Sequence, residues 1–296
     1  QKCNLSQAFD IEINGKGVRE LPKPTIKLSK EEQVNGTFIV AEVRQKTNKK
    51  KTVVFQPFGR GVQTVGNIIT DSSGRSFVFK NVVSIIKRLQ KKYSVILMSE
   101  FPFDFEKEGL KDTISFPAGN QVPIRGWGGI IKEADLFLGC DSVGQHIAYA
   151  VGTPVVSVMG STYGVNVSYP NHDKVDVLDM GEGLRLYDPI RVCPDEESAR
   201  VNDGIMMMND KVEEVIMKSV DKMMNRYYVK STMEIVLPES YGGPQEGCPT
   251  CPPEAPLSAP RQQGMGPIEL EAASNGVKIP SLEPSKKGFS QNVKIN

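Results

Sequence analysis

Histidine, tryptophan and cysteine are scarce in this 296-residue chain, which has 2, 1 and 5 of them. The cysteines (Cys3, Cys140, Cys193, Cys248 and Cys251) are odd in number and scattered. Such a set builds no disulfide framework and points to a reducing, cytoplasmic compartment, or a virion if the source is viral. On that reading the Asn-x-Ser/Thr triplets at Asn4, Asn35 and Asn166 are coincidental. A formal net charge of +1 argues against a polyelectrolyte binder, because nucleic-acid proteins carry a clear basic excess. No run approaches the roughly 18 apolar residues of a membrane span, and no charged-then-apolar start marks a signal peptide. "CPTC", with Cys248 and Cys251, has half of a zinc-site spacing, but no second Cys/His pair stands near it, so no metal is expected. Nor does any Ser-His-Asp order point to a hydrolase.

What the chain does have is enough apolar matter for a core, 39% of its residues. Residues 1–50 read as polar and irregular, a connector with one strand, "GTFIVAEV", and then a basic turn. From residue 51 strands and helices alternate. "TVVFQPFG", "SVILMSE", "DTISFP", "DLFLGC", "PVVSVMG" and "KVDVLDM" read as strands, the more apolar of them as buried ones. Between them, "NVVSIIKRLQKKY" puts Val82, Ile85, Ile86 and Leu89 at helical spacing. "IRGWGGIIKEA" does the same with Trp127, Ile130, Ile131 and Ala134, and "GQHIAYAVG" is a third helix. A last helix, "DKVEEVIMKSVDKMMNRYY", presents Val212, Val215, Ile216, Val220 and Met223 as a core stripe. Short strand-helix-strand units of this kind predict a Rossmann-like α/β fold, a parallel sheet with helices on both faces, over residues 51–236.

One stretch carries chemistry: "GCDSVGQHIAYAVGTPVVSVMG", residues 139–160. In open α/β sheets ligands sit beyond the carboxyl ends of the strands, where helix N-termini point. Asp141 and Ser142 end a strand, Gly144 permits a tight turn, and the first amides of the next helix form a candidate anion site. His146 lies one turn in and is within reach of a phosphate oxygen. The same residues also read more simply, with Asp141 or Ser142 capping the helix and His146 as a surface histidine.

Residues 134–160, with Asp141, Ser142, His146 and the Gly152-Thr153-Pro154 break, resemble the signature of glycosyltransferase family 9, the ADP-heptose:lipopolysaccharide heptosyltransferase-like enzymes. The resemblance covers about residues 50–230. It implies the donor-binding half of a GT-B fold and a nucleotide-diphosphate sugar as donor substrate, with no cofactor. It also implies Arg75, in "GRSF", as a phosphate-binding residue and Glu100 as the acid that binds the ribose. The segment Val122 to Ile124 would lie near the base. Val143 stands where the family usually has glycine, with Gly144 one place later, so a reshaped loop is expected. In the family the acceptor side and the catalytic base belong to an amino-terminal domain. About 50 residues precede the donor domain here, too few for a Rossmann fold, and the resemblance makes them a connector and remnant of that domain. Asp10 is not nominated as the base.

Two functions follow as expectations. The first is a glycosyltransferase domain transferring a sugar with inversion to a lipopolysaccharide, glycan or modified-base acceptor. The second is a non-catalytic structural or interaction protein that kept the fold; a viral or phage setting suits both. Residues 237–296 are rich in proline and glycine and cannot bury enough apolar surface to order themselves. They read as an extended or disordered tail that binds a protein partner or a second copy through Ile268, Leu270, Val277, Ile279 and Leu282. Removing residues 237–296 should therefore leave the melting temperature nearly unchanged and abolish association, as read by calorimetry and light scattering. Unfolding of the truncated chain would show instead that the tail belongs to the core.

Overall fold

Four of the strands read from the sequence are buried at every position, as strands covered on both faces must be. The computed structural model describes residues 3–59, 62–65, 68–71, 73–100, 107–110, 112–117, 122–185 and 204–227. The tail from 237, with Cys248 and Cys251, lies outside them, as does Cys193. In chain order the elements are α1 (Leu5–Asn14), α2 (Lys30–Thr47), β1 (Thr52–Gln56), β2 (Val62–Val65), β3 (Ile68–Asp71), α3 (Phe79–Leu89), β4 (Ser94–Ser99) and β5 (Thr113–Pro117). There follow α4 (Ile124–Glu133), β6 (Leu136–Cys140), α5 (Val143–Val151), β7 (Val155–Met159), α6 (Gly164–Val167), β8 (Val175–Asp179) and α7 (Asp210–Tyr227). Among the described residues no helix is long and apolar enough to cross a membrane.

Six strands form one sheet in the order β5-β4-β1-β6-β7-β8, and every pairing is parallel. The chain builds outward from β1 to β5 on one side, then returns to build β6 to β8 on the other. Alternation along each strand sorts the side chains to two cores. Val53, Phe55, Val95, Leu97, Leu136, Leu138, Val156 and Val158 pack with α3 and α7. Val54, Ile96, Met98, Phe137 and Val155 pack with α2, α4 and α5. The expected Rossmann-like, doubly covered parallel sheet is the observed one.

Three sequence readings need correction. The apolar run "GTFIVAEV" is the second half of helix α2, not a strand. Its start is fixed by a capping box in which the Ser29 side chain accepts from the Glu32 amide and the Glu32 carboxylate accepts from the Ser29 amide. Gly36, Val40 and Val43 then fall on one buried face at helical spacing. Residues 1–50 are accordingly not irregular, since α1 also forms, opened by its own capping box at Asn4 and closed by Gly15 at φ 62°. In α7, Ile216, Val220, Met223 and Met224 are buried but Val215 is 47% exposed. One residue is about 100° of helix, which carries Val215 off the stripe centred on Ile216. The antiparallel ribbon β2-β3 between β1 and α3 was not anticipated.

Buried Glu213 joins α7 to α3. It accepts from Asn81 Nδ2 at 2.7 Å and Ser84 Oγ at 2.5 Å and pairs with Arg88 Nε at 3.1 Å, so its charge is fully met. On the opposite face α2 crosses α4 backbone against backbone. A Cβ on Gly36 would lie 2.4 Å from the Gly129 carbonyl, and one on Gly129 only 2.1 Å from the Glu32 oxygen. Alanine is the better helix former by about 1 kcal/mol, but here the helices would have to separate. Gly129→Ala should lower stability by about 2 kcal/mol net in chemical denaturation. An unchanged or raised stability would mean that the helices have room to part.

Candidate functional site

The strand order reverses between β1 and β6, and in open α/β sheets it is at the carboxyl ends of such neighbours that a ligand crevice is expected. Gln56 ends β1; Cys140 ends β6 and Asp141 and Ser142 follow it; helix α5 begins at Val143 with its amino terminus at the same end of the sheet. Cys140 is fully buried, and that burial pushes its thiol well above the ordinary range, so it packs and does not react.

Asp141 and Arg75, assigned from two distant motifs, come together here. An Asp141 oxygen lies 3.9 Å from Arg75 Nη1, and the carboxylate is almost wholly buried. Its other oxygen accepts from Gln145 Nε2 at 3.0 Å. Gln145 is itself buried and accepts from Ser157 Oγ at 2.7 Å, which ties the turn to β7.

Arg75 is carried by a short turn with its own scaffold. Asp71, the last residue of β3, accepts from the Ser73 amide and hydroxyl and from the Ser76 amide. Ser73 Oγ in turn accepts from Arg75 Nε at 3.1 Å. The Ser76 hydroxyl accepts from the Gly59 amide beyond β1, and Ser161 beyond β7 bonds the carbonyls of Ser73 and Gly74. Thus the turn is pinned to two strand ends, and the guanidinium has little freedom to swing away. Burial pushes the Asp71 carboxyl up, but the hydrogen bonds from Ser73 and Ser76 outweigh it and hold its pKa below the ordinary 3.8.

Gly144 serves close approach and not a left-handed turn. It is not among the glycines with positive φ, yet a Cβ there would lie 2.3 Å from Gln56 Oε1 and 2.5 Å from the Phe137 ring. Its amide donates to Gln56 Oε1 at 2.9 Å, while Gln56 Nε2 donates to Ser142 Oγ at 3.2 Å. Gln56 thus bridges both ends of the turn, and Val143 between them is left 45% exposed. Ser142 makes no capping bond to the helix.

His146 sits on the exposed side of α5 with Nδ1 2.9 Å from the Tyr169 hydroxyl. Burial of Tyr169 raises its pKa, with Tyr149 adding to the effect, and the hydroxyl shares a hydrogen bond with Nδ1 whose donor depends on the ring tautomer. In the tautomer with the tyrosine hydroxyl as donor, the neutral ring carries its own proton on Nε2. Although His146 keeps an exposed edge, the protein around the ring disfavours its charge and lowers its pKa below 6.5, with Asp141 opposing. Tyr169 stacks on Tyr149 at 3.7 Å, His172 meets Tyr149 edge-on, and Lys23 Nζ lies 4.7 Å from the centre of the Tyr149 ring.

Glu100 follows β4 and is exposed at the same end of the sheet, one strand from β1. Among the described residues no contact joins it to the Arg75–Asp141 pair. Val122 is buried and Ile124 exposed where α4 begins, after β5. Sequence reasoning missed Gln56, Asp71, Gln145 and Tyr169. For Asp71 a signal was present, since Asp followed two residues later by Ser is an Asx-turn pattern. For Gln56 it was a polar residue closing an apolar strand at the reversal point.

No protein-family model matches the sequence, and a search of curated proteins returns no match. Solved structures do match. A glycosyltransferase of family 9 from Veillonella parvula matches with TM-score 0.51 at 13% identity, over 76% of this chain and 61% of that one. E. coli ADP-heptose LPS heptosyltransferase II gives TM-score 0.44 at 12% identity, over 70% and 56%. The chain therefore spans 56–61% of the length of these structures. At such identities the likeness is one of fold: the Rossmann-like sheet is shared with the family 9 glycosyltransferase.

Asp71→Asn should remove one hydrogen bond at Ser76 and cost about 1–2 kcal/mol at neutral pH. Because the folded pKa is depressed, the carboxylate's contribution is complete above the unfolded value of 3.8 and is lost as pH falls through the lower folded one. Acid unfolding curves of the two proteins should converge below that window. A constant gap down to the lowest pH would show that the charge on Asp71 is irrelevant.

Proposed function

We propose that this chain is the donor-binding part of an inverting, heptosyltransferase-like glycosyltransferase. Its crevice holds a nucleotide-diphosphate sugar with the diphosphate against the amino terminus of α5. One observation carries the reading: Arg75 is held 3.9 Å from Asp141 by a pinned turn, at the reversal point of the sheet and beside a helix terminus. Arg75 meets the diphosphate by charge, the first turn of α5 by its backbone amides, and His146 through Nε2–H. Glu100 accepts from the ribose hydroxyls. The fold shared with a family 9 glycosyltransferase supports the assignment.

In the reaction the acceptor oxygen bonds to the anomeric carbon as the bond from that carbon to the diphosphate breaks. The electron pair leaves with the diphosphate, and the acceptor proton passes to a base on the acceptor side, outside the residues assigned here. Groups already aimed at the leaving oxygens lower the barrier because they need no reorganisation as charge develops. A lowered His146 pKa suits this role, since the ring stays a neutral donor and keeps its Tyr169 contact at physiological pH.

Nucleoside diphosphates should raise the melting temperature by linkage between binding and folding. Arg75→Ala and His146→Ala should each weaken diphosphate binding by about 1–3 kcal/mol in calorimetric titration with little loss of stability. No shift with millimolar ADP, UDP or GDP would contradict the assignment. A His146→Ala protein that binds normally but unfolds early would make that histidine purely structural.

A further inference from the structure

The amino terminus of a helix is stabilised by negative charge, and an acidic side chain is the strongest partner for its free amides. Helix α5 declines that partner. Its first turn contains no acidic residue, and the side chain that takes the Gly144 amide is the uncharged Gln56. Gln56 is 7% exposed and uses both ends of its amide, with Oε1 on Gly144 and Nε2 on Ser142. The space it occupies is reserved for it, because any side chain at residue 144 would overlap Oε1 at 2.3 Å. The acid that does stand before the helix, Asp141, is turned to Gln145 and Arg75. A buried amide has therefore been fitted where a carboxylate of the same shape would hold the helix more strongly.

We infer that Gln56 is a positioning and specificity residue. It holds the Ser142–Gly144 turn in place while remaining neutral, so that the positive end of α5 stays available to the phosphate oxygens of an incoming nucleoside diphosphate. This inference rests on the proposed diphosphate site. It also accounts for the residues on either side of the turn's end. With Gln56 crossing to residue 144, the glycine is needed there, and position 143 tolerates valine with its side chain facing out.

The discriminating variant is Gln56→Glu. A carboxylate can accept from the Gly144 amide and from a reoriented Ser142 hydroxyl, and it adds charge favourable to the helix. Stability should hold or rise while affinity for a nucleoside diphosphate falls at least tenfold. Binding of the corresponding nucleoside, which lacks phosphate, should stay within twofold, a split that a structural role would not produce. Wild-type diphosphate affinity in Gln56→Glu, or equal losses for both ligands, would overturn the inference alone. Failure of the wild-type protein to bind any diphosphate would overturn the underlying reading and this one with it. Should Gln56→Glu not fold, Gln56→Met keeps the volume and removes both hydrogen bonds. It should lose at least threefold in diphosphate affinity with nucleoside binding unchanged, and unchanged diphosphate affinity would again overturn the inference.

Discussion

The pairing of β1 with β6 is the contact on which the rest of this structure depends. The two strands are neighbours in the sheet although a ribbon, two strands and two helices separate them in the chain. Asp135, just before β6, accepts from the Thr52 amide at 2.7 Å and pairs with Arg44 of α2 at 2.8 Å. Arg44 Nε also donates to Thr52 Oγ1, so a single ionic group fixes the start of both strands. From there the register runs Val53 against Leu136 to Gln56 against Gly139. A slip of one residue would turn every side chain of β1 to the other face. Phe55 would leave the α3 side of the sheet, and Gln56 would leave the α5 side, where it meets Gly144.

At the carboxyl ends of β1 and β6 the polar side chains are tied down by one another. Arg75 is tied back through Ser73 to Asp71, and Asp141 is tied through Gln145 to Ser157. Loose side chains would pay ordering entropy on binding; these have largely done so on folding. At 3.9 Å the Arg75–Asp141 contact is looser than a direct hydrogen bond, which leaves the guanidinium able to form stronger, charge-assisted bonds with another anion. The neighbouring aromatic group of His146, Tyr149, Tyr169 and His172 gathers both of the chain's histidines beside α5. It holds the His146 ring in place through the Nδ1–Tyr169 hydrogen bond.

Much of this was legible in the sequence because its signals were local. The apolar strands, the helical stripes of α3 and α4, and the Asp141 to His146 turn could each be read within a short window. The failures share a cause in long-range contacts. "GTFIVAEV" is rich in residues that favour strands, but the Ser29–Glu32 cap starts a helix ahead of it. The close fit of Gly36 on Gly129, from segments far apart in the chain, gives that helix its packing surface. Gln56 lies unremarked within the strand segment "TVVFQPFG", and its role appears only when β6 and α5 are placed beside it. Val215 follows the apolar pattern of its helix, but the exact direction of the buried face was set by Glu213 reaching into α3.

A crystal structure of the protein soaked with ADP or UDP would test the central claim most directly. The account predicts the diphosphate at the carboxyl ends of β1 and β6, with its oxygens in hydrogen-bonding contact with Arg75 and with backbone amides of the first turn of α5. A nucleotide bound at another edge of the sheet, with Arg75 still facing Asp141 and the crevice unfilled, would contradict it.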